Sequence, residues 1–343
     1  MRLTAFFHPL PRIATVTMLA ALTLGGCGGT TPARPDAGTQ PALSSSAPPV
    51  RIGIALGGGA AKGFAHIGVI KMLEANGFAP AVVSGTSAGS VVGALYASGM
   101  NAFEMQEKAV ALDEAKIRDL QLSSGGLVLG QKLEDYVNEQ VRRKPLEQMA
   151  KPFVVVATRL EDGERTVFAR GNTGQAVRAS SSVPGVFQPV TIGKYHFVDG
   201  GIVSPVPVDA ARQLGADMVI AVDISNKARG QTPGDMLGTL GQSIAIMGQK
   251  LGQAELARAD VIIRPQVLDI GSADFSQRAN AILEGEKAAL AVMPQIRERV
   301  AQLQAERANA ARAAQQKAAE AQYQTCLEKR SSLQKLAGME RLD

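Results

Sequence analysis

The pentapeptide Gly85-Thr86-Ser87-Ala88-Gly89 constrains this chain more than any other feature, because of what stands on either side of it. The apolar run Ala81-Val82-Val83 precedes it, and Val91, Val92, Ala94 and Leu95 follow at helical spacing. A short buried strand therefore gives way to a helix through one tight turn, the setting of a nucleophile elbow. Glycines on both sides let the chain bend so sharply that the Ser87 side chain projects from the turn, where a base and a substrate carbonyl can both reach it. The pattern G-x-S-x-G is short enough to arise by chance in a Gly-rich chain, so its placement between strand and helix carries the argument.

A second glycine turn lies one strand–helix unit earlier. Arg51-Ile52-Gly53-Ile54-Ala55-Leu56 predicts a buried strand, Gly57-Gly58-Gly59-Ala60-Ala61-Lys62-Gly63 follows, and Ala65, Ile67, Val69, Ile70 and Leu73 predict a helix from about Phe64 to Ala75. A strand, a glycine loop and a helix N-terminus together can hold an anion. A phosphate loop would need Gly-Lys-Ser/Thr, and Lys62-Gly63-Phe64 does not supply it. A dinucleotide fingerprint would need its third glycine one position earlier and an acid at the end of the next strand, where Ser84 and Gly85 stand. An oxyanion hole fits better, since a nucleophile follows one unit later. Either turn alone is equally well read as a place where a strand must meet a helix closely.

A third segment pairs with these. Tyr195-His196-Phe197-Val198 predicts a strand ending in Asp199-Gly200-Gly201, which places a carboxylate beside glycines that let other backbone approach. An ordinary Asp-Gly turn is the plain alternative. The histidines narrow the choice. The chain has three, His8, His66 and His196, and none follows Asp199, so a Ser…Asp…His triad in chain order is excluded. His66 falls inside the helix after the glycine loop and reads as a packed or capping residue. His196 lies three residues from Asp199 on a strand and points to the other face. A Ser–Asp dyad remains.

Four blocks of this chain, in this order, resemble the patatin-like phospholipases, in particular their bacterial branch. They are the glycine loop Gly57–Gly63, the elbow Gly85–Gly89, Ala179-Ser180-Ser181-Ser182-Val183-Pro184-Gly185-Val186-Phe187-Gln188-Pro189, and Asp199-Gly200-Gly201. The resemblance runs from about Arg51 to Ser225. It implies a three-layer α/β/α fold and hydrolysis of lipid acyl esters without a metal or other cofactor. It also implies Ser87 as nucleophile, Asp199 as base, and the Gly57, Gly58 and Gly59 amides as oxyanion hole. Lys62 and Gly63 match the family's loop, with Lys62 shaping it, and Gly85, Gly89, Gly200 and Gly201 support the two catalytic turns. Acyl transfer on the same dyad, or a non-catalytic scaffold that binds lipid or a partner, are the alternatives.

The rest of the chain frames this domain. Residues 1–26 carry Arg2 and Arg12, an apolar core from Ile13 to Leu24, and the ending Leu24-Gly25-Gly26 before Cys27, a secretory signal too short to read as a spanning helix. The ending resembles a bacterial lipobox, which implies lipidation of Cys27 and, with Gly28 next, an outer-membrane lipoprotein facing the periplasm of a Gram-negative cell. Residues 27–49 then form a Pro/Ser-rich tether, 50–293 the catalytic domain and 294–343 a helical extension. Cys27 and Cys326 are the only cysteines, too few for a disulfide framework. The formal charge of +5 falls to +3 without Arg2 and Arg12, which argues against a nucleic-acid partner.

Between residues 51 and 265 apolar runs alternate with helical patterns, as a mostly parallel sheet requires. Further strands are predicted at Phe153–Ala157, Thr166–Ala169, Met218–Val222 and Val261–Ile263, with a hairpin turn at Glu161-Asp162-Gly163. The apolar, glycine-hinged stretch Leu122–Gly130 is read either as an acyl-chain lid or as a plain connection between helices. In the extension, Ile296, Val300 and Leu303 begin a narrow seam that Arg307 interrupts. Docking on the core is the first reading; pairing with another protomer, or holding the protein at a surface, are the others.

Overall fold

A computed structural model describes residues 48–113, 128–225, 227, 234 and 236–339, the side chains of 237 and 333–339 excepted. The expected signal segment, Cys27, nearly all of the tether and the 122–127 part of the glycine-hinged stretch lie outside the described residues. The chain divides into two units, Ala47–Ala308 and a second made of Met1–Ser46 with Asn309–Asp343. The first holds the sheet and the site.

Among the described residues eight strands form one sheet: β1 (Ile52–Leu56), β2 (Val82–Thr86), β3 (Phe153–Arg159), β4 (Arg165–Phe168), β5 (Val190–Ile192), β6 (Tyr195–Asp199), β7 (Met218–Val222) and β8 (Val261–Ile263), hydrogen-bonded in turn along the path β5-β6-β3-β2-β1-β7-β8, with β4 also on β3. The pairs β2–β3, β1–β2, β1–β7 and β7–β8 are parallel, while β3–β4, β3–β6 and β5–β6 are antiparallel. The mostly parallel sheet expected from the alternation is there. Strand β5 was not foreseen; at three residues it is too short to show alternation, and only its pairing with β6 defines it.

Side chains alternate across a strand, so each strand feeds two layers. From β1 and β7, Ile52, Ile54, Leu56, Met218, Ile220 and Val222 face one way. There they meet helices α1 (Phe64–Ala75) and α2 (Ala88–Ala97). Ala55, Val219 and Ala221 face the other way and meet Val206 and the helices α6 (Val208–Gln213) and α7 (Met236–Leu256). This is the three-layer α/β/α arrangement. The other α-helices among the described residues are α3 (Ala102–Val110), α4 (Gln131–Gln140), α5 (Thr173–Ser180) and α8 (Arg278–Met339).

Helix α8 begins well before Pro294, which was expected to start it. Pro294 is exposed, on the side where water can replace the helical bond that a proline lacks. Ala281, Ile282, Ala289, Met293 and Ile296 of α8 are buried in the core, with Val300 and Leu303 packed against it. The seam that opened the extension is thus a docking face. Two glycines let α8 approach α1: a Cβ on Gly68 would lie 2.0 Å from the Ile282 carbonyl oxygen, and one on Gly285 would lie 2.0 Å from that of Ala65.

Candidate active site

The sheet itself brings Ser87 and Asp199 together. Strand β3 pairs with β2 in parallel through Thr86↔Val156, and with β6 antiparallel from Ala157↔Asp199. Residues Ala157 and Thr158 pair with both β4 and β6, so those two strands occupy opposite edges of β3. Because β4 also pairs with Val155 and Val156 opposite β2, β6 must share the β2 edge. Strand β2 therefore ends where β6 ends, at consecutive positions of one neighbour. Ser87 and Asp199 meet at that junction.

Ser87 adopts φ 52° and ψ −124°, a conformation that non-glycine residues rarely hold. Strain of this kind costs about 1–3 kcal/mol and persists only where the surroundings enforce it. Here the enforcing contacts are visible. The Ser87 amide donates to Ser180 Oγ at 2.8 Å, and Ser180 Oγ in turn donates to the Val156 carbonyl at 2.5 Å. The Ser90 hydroxyl donates to the Ser87 carbonyl at 2.6 Å. Behind the elbow there is no room for side chains: a Cβ on Gly85 would stand 2.6 Å from the Gly89 carbonyl oxygen, and one on Gly89 would stand 2.1 Å from that of Leu56.

Asp199 is held with equal care. Its amide donates to the Ser182 carbonyl at 2.9 Å, and its own carbonyl accepts from the Thr158 hydroxyl at 2.8 Å. Oδ1 accepts the Gly201 amide at 2.7 Å. Oδ2 is buried and has no well-aligned hydrogen bond. Burial pushes the carboxyl up to about 6, against the pull of the Ser87 hydroxyl and the Gly201 amide. A carboxylate with that proton affinity is a stronger base than a solvated one. Gly200 is needed because a Cβ there would lie 2.1 Å from the Val156 carbonyl oxygen.

The glycine loop differs from expectation. The Gly57 amide donates to the Val222 carbonyl at 3.1 Å and the Gly58 amide to the Pro205 carbonyl at 3.0 Å. In this structure both of these expected oxyanion donors hold the loop in place instead, because the loop crosses the end of β7 and the segment after Asp199. Among the described residues, the next two amides, Gly59 and Ala60, make no such backbone bond, and Ala60 turns at φ 53°. Gly58 nevertheless borders Ser87: its Cβ would stand 3.2 Å from Ser87 Cβ. Lys62 is buried within the 3-10 turn Ala60–Gly63, and a Cβ on Gly63 would come within 2.8 Å of Ala88 Cβ.

Neither described histidine joins the pair. His66 is fully buried, and burial lowers it to about 4, so it is neutral near pH 7. Its Nε2–H donates to the Gly57 carbonyl at 2.8 Å, which braces the glycine loop from within. His196 is exposed and its Nδ1 lies 2.8 Å from Glu161 Oε1. Among the described residues no group of three or more His, Cys, Asp or Glu side chains could hold a metal ion, and no helix is long and apolar enough to cross a membrane.

Several working residues escaped the sequence reading. Ser180 and Ser182 sit in a block marked in the sequence only by its resemblance, and the structure places them: Ser180 binds the Ser87 amide and the Ser182 carbonyl accepts the Asp199 amide. Of the glycine-hinged stretch, the described part is anchored. Val128 is buried and bridges to Phe187, and Arg178 Nε donates to the Leu129 carbonyl at 3.1 Å.

Residues 54–212 match the family described as patatin-like phospholipase. An uncharacterized NTE family protein of Mycobacterium tuberculosis is 35% identical over 188 residues, covering 54% of this chain and 52% of that protein. The human patatin-like phospholipase domain-containing protein 6 is 32% identical over 184 residues, 51% of this chain and 13% of its own. The chain thus spans about half the length of the first of these relatives and far less of the second. VipD from Legionella pneumophila shares the fold, with a TM-score of 0.50 at 16% identity over 71% of this chain and 67% of that one.

Proposed function

We propose that the chain, which belongs to the patatin-like phospholipase family, is a serine acyl hydrolase that cleaves lipid esters with Ser87 and Asp199 alone. One observation carries the reading: a strained serine elbow and a buried, proton-hungry carboxylate end on neighbouring positions of the same strand. Asp199 takes the proton as the Ser87 hydroxyl attacks the ester carbonyl. Backbone amides beside Ser87 stabilise the oxyanion that forms. Since Gly57 and Gly58 are engaged, the donors are assigned to Gly59 and Ala60, together with the Ala88 amide that opens α2. The alcohol leaves with the proton from Asp199. Water, deprotonated by the same carboxylate, then releases the fatty acid from the acyl-serine.

Lipid as the substrate class is supported by the surface beside the base. Helix α7 packs through Gly248 and Gly252 toward Gly201 and Pro205, and its Leu240, Met247 and Leu251 side chains are exposed. The helix therefore offers apolar surface next to the catalytic turn, where acyl chains can lie. Incubating the protein with phospholipid vesicles and identifying the products by mass spectrometry tests the proposal. Free fatty acid and lysophospholipid are expected, and both must vanish in Ser87→Ala. Acyl chains moved to an added alcohol instead would assign acyl transfer, and no turnover of any ester would leave a binding scaffold.

The motif at Leu24-Gly25-Gly26-Cys27 supports lipidation of Cys27 and an outer-membrane, periplasm-facing location. Mass spectrometry of the mature N-terminus is the test: a diacylglyceryl-modified Cys27 is expected, and an unmodified end at another residue overturns the assignment.

A further inference from the structure

A second buried carboxylate lies near the site and takes no part in the proposed chemistry. Glu255, in the last turn of α7, is 5% exposed. Its Oε1 accepts from the Ser204 hydroxyl and its Oε2 accepts from the Val206 amide at 2.8 Å, so it grips both ends of the short segment Ser204-Pro205-Val206. Burial pushes its carboxyl up to about 7, against the pull of the Ser204 hydroxyl, the Val206 amide, Arg165 and Arg258. An acid is a costly residue to bury, and only its bonds offset the cost.

What the gripped segment touches gives those bonds their meaning. The Ser204 carbonyl accepts the Thr86 hydroxyl at 2.8 Å, and Thr86 is the residue before the nucleophile. The Ser204 amide donates to the Gly200 carbonyl at 2.8 Å, and Gly200 is the residue after the base. The Pro205 carbonyl accepts the Gly58 amide at 3.0 Å, and Gly58 lies against Ser87. Elbow, base turn and glycine loop are thus fastened to one segment, and Glu255 is the α7 side chain that hydrogen-bonds that segment, beside the apolar packing of Leu256 on Val206. We infer that Glu255 is a positioning residue which, through Ser204 and Val206, sets the spacing of Ser87, Asp199 and the glycine loop. This rests on the dyad reading above for its effect on rate, while the fastening itself can be measured separately. It also ties α7, which carries the exposed Leu240, Met247 and Leu251, to the geometry of the site through a buried carboxylate.

The experiment compares Glu255→Ala and Glu255→Gln in two readouts. The first is the rate of Ser87 modification by a fluorophosphonate, separated into a maximal rate constant and a half-saturation concentration. The second is hydrogen exchange at the Gly58 and Val206 amides. Glu255→Ala is expected to lower the maximal rate about 10- to 100-fold with little change in half-saturation, as a small misplacement of reacting groups does. It should also lose protection at both amides. Glu255→Gln, which keeps an acceptor for Val206 and a hydrogen-bonding group for Ser204, should restore most of both. Unchanged labelling in a folded Glu255→Ala, retained protection of Gly58, or a Glu255→Gln variant as impaired as Glu255→Ala each overturns the inference. If Glu255→Ala does not fold, Ser204→Ala removes one of the two bonds and is read the same way, with an unchanged maximal rate overturning the proposal. If the wild-type protein is not labelled at Ser87, the dyad reading has failed, and the exchange measurement alone decides the fastening.

Discussion

Strand β6 has a different environment at each end, and the contrast explains how one sheet makes both a surface and a site. At its start, His196 and Glu161 face solvent across the hairpin, where Arg159 binds Asp162 and Glu164. Arg159 holds the Asp162 carboxyl down to about 2, as an exposed, paired acid should be. At its end, the same residue type as Asp199 is buried without a cationic partner and is pushed up to about 6. Chemistry follows burial. The hairpin has the charges and the histidine that a search for catalysis would notice, but the base proposed here is the carboxylate that lost its solvent.

The comparison can be broken most severely at the buried end. Ser87→Ala should lower ester turnover by about a thousandfold or more, Asp199→Asn nearly as much, and the double variant should be little worse than either, since residues acting as a unit do not add. Measured kcat values with circular dichroism on each variant check this, and multiplicative losses would contradict it.

Stability should move the opposite way. Raising the folded pKa of Asp199 from 3.8 to about 6 means that the fold prefers the protonated acid. Its ionisation therefore costs about 3 kcal/mol of stability, present in full above pH 6 and absent below the unfolded value near 4. Asp199→Asn keeps the Oδ1 acceptor for the Gly201 amide and removes this cost. Its Tm should exceed that of the wild-type protein at pH 8, and the gap should close as the pH falls through 6 toward 4.

The same carboxyl sets a pH profile. Activity needs the ionised form, so kcat/KM should rise with pH through about 6 and then level. A profile that instead falls as pH rises through that range would assign the titration to another group. At the exposed end, Glu161→Gln, Asp162→Asn and His196→Ala should leave turnover within about twofold of wild type, as surface substitutions away from a site do.

Much of this was legible in the residues, for a physical reason. The elbow and the Asp-Gly-Gly end show in the residues because close approach selects glycine itself: at Gly85, Gly89 and Gly200 backbone oxygens, from Gly89, Leu56 and Val156, stand 2.1–2.6 Å from where a Cβ would be. Strands β1, β2, β3 and β7 are buried on both faces and read as apolar runs. What was not legible depends on partners far along the chain. Ser180 meets Ser87 across 93 positions, and Glu255 meets Ser204 across 51. No local pattern marks such a serine or glutamate. The Gly57 and Gly58 amides were assigned to a substrate for the same reason, since their carbonyl partners, Val222 and Pro205, come from distant segments.

The central claim is that Ser87 reacts with Asp199 as its only base. Peptide mapping after brief exposure to a fluorophosphonate tests it most directly, in the wild-type protein, His196→Ala, His66→Ala and Asp199→Asn. The account predicts a single adduct on Ser87 in the wild type and in both folded histidine variants, and almost none in Asp199→Asn. An adduct on another serine, wild-type labelling in Asp199→Asn, or a folded histidine variant that cannot be labelled would contradict it.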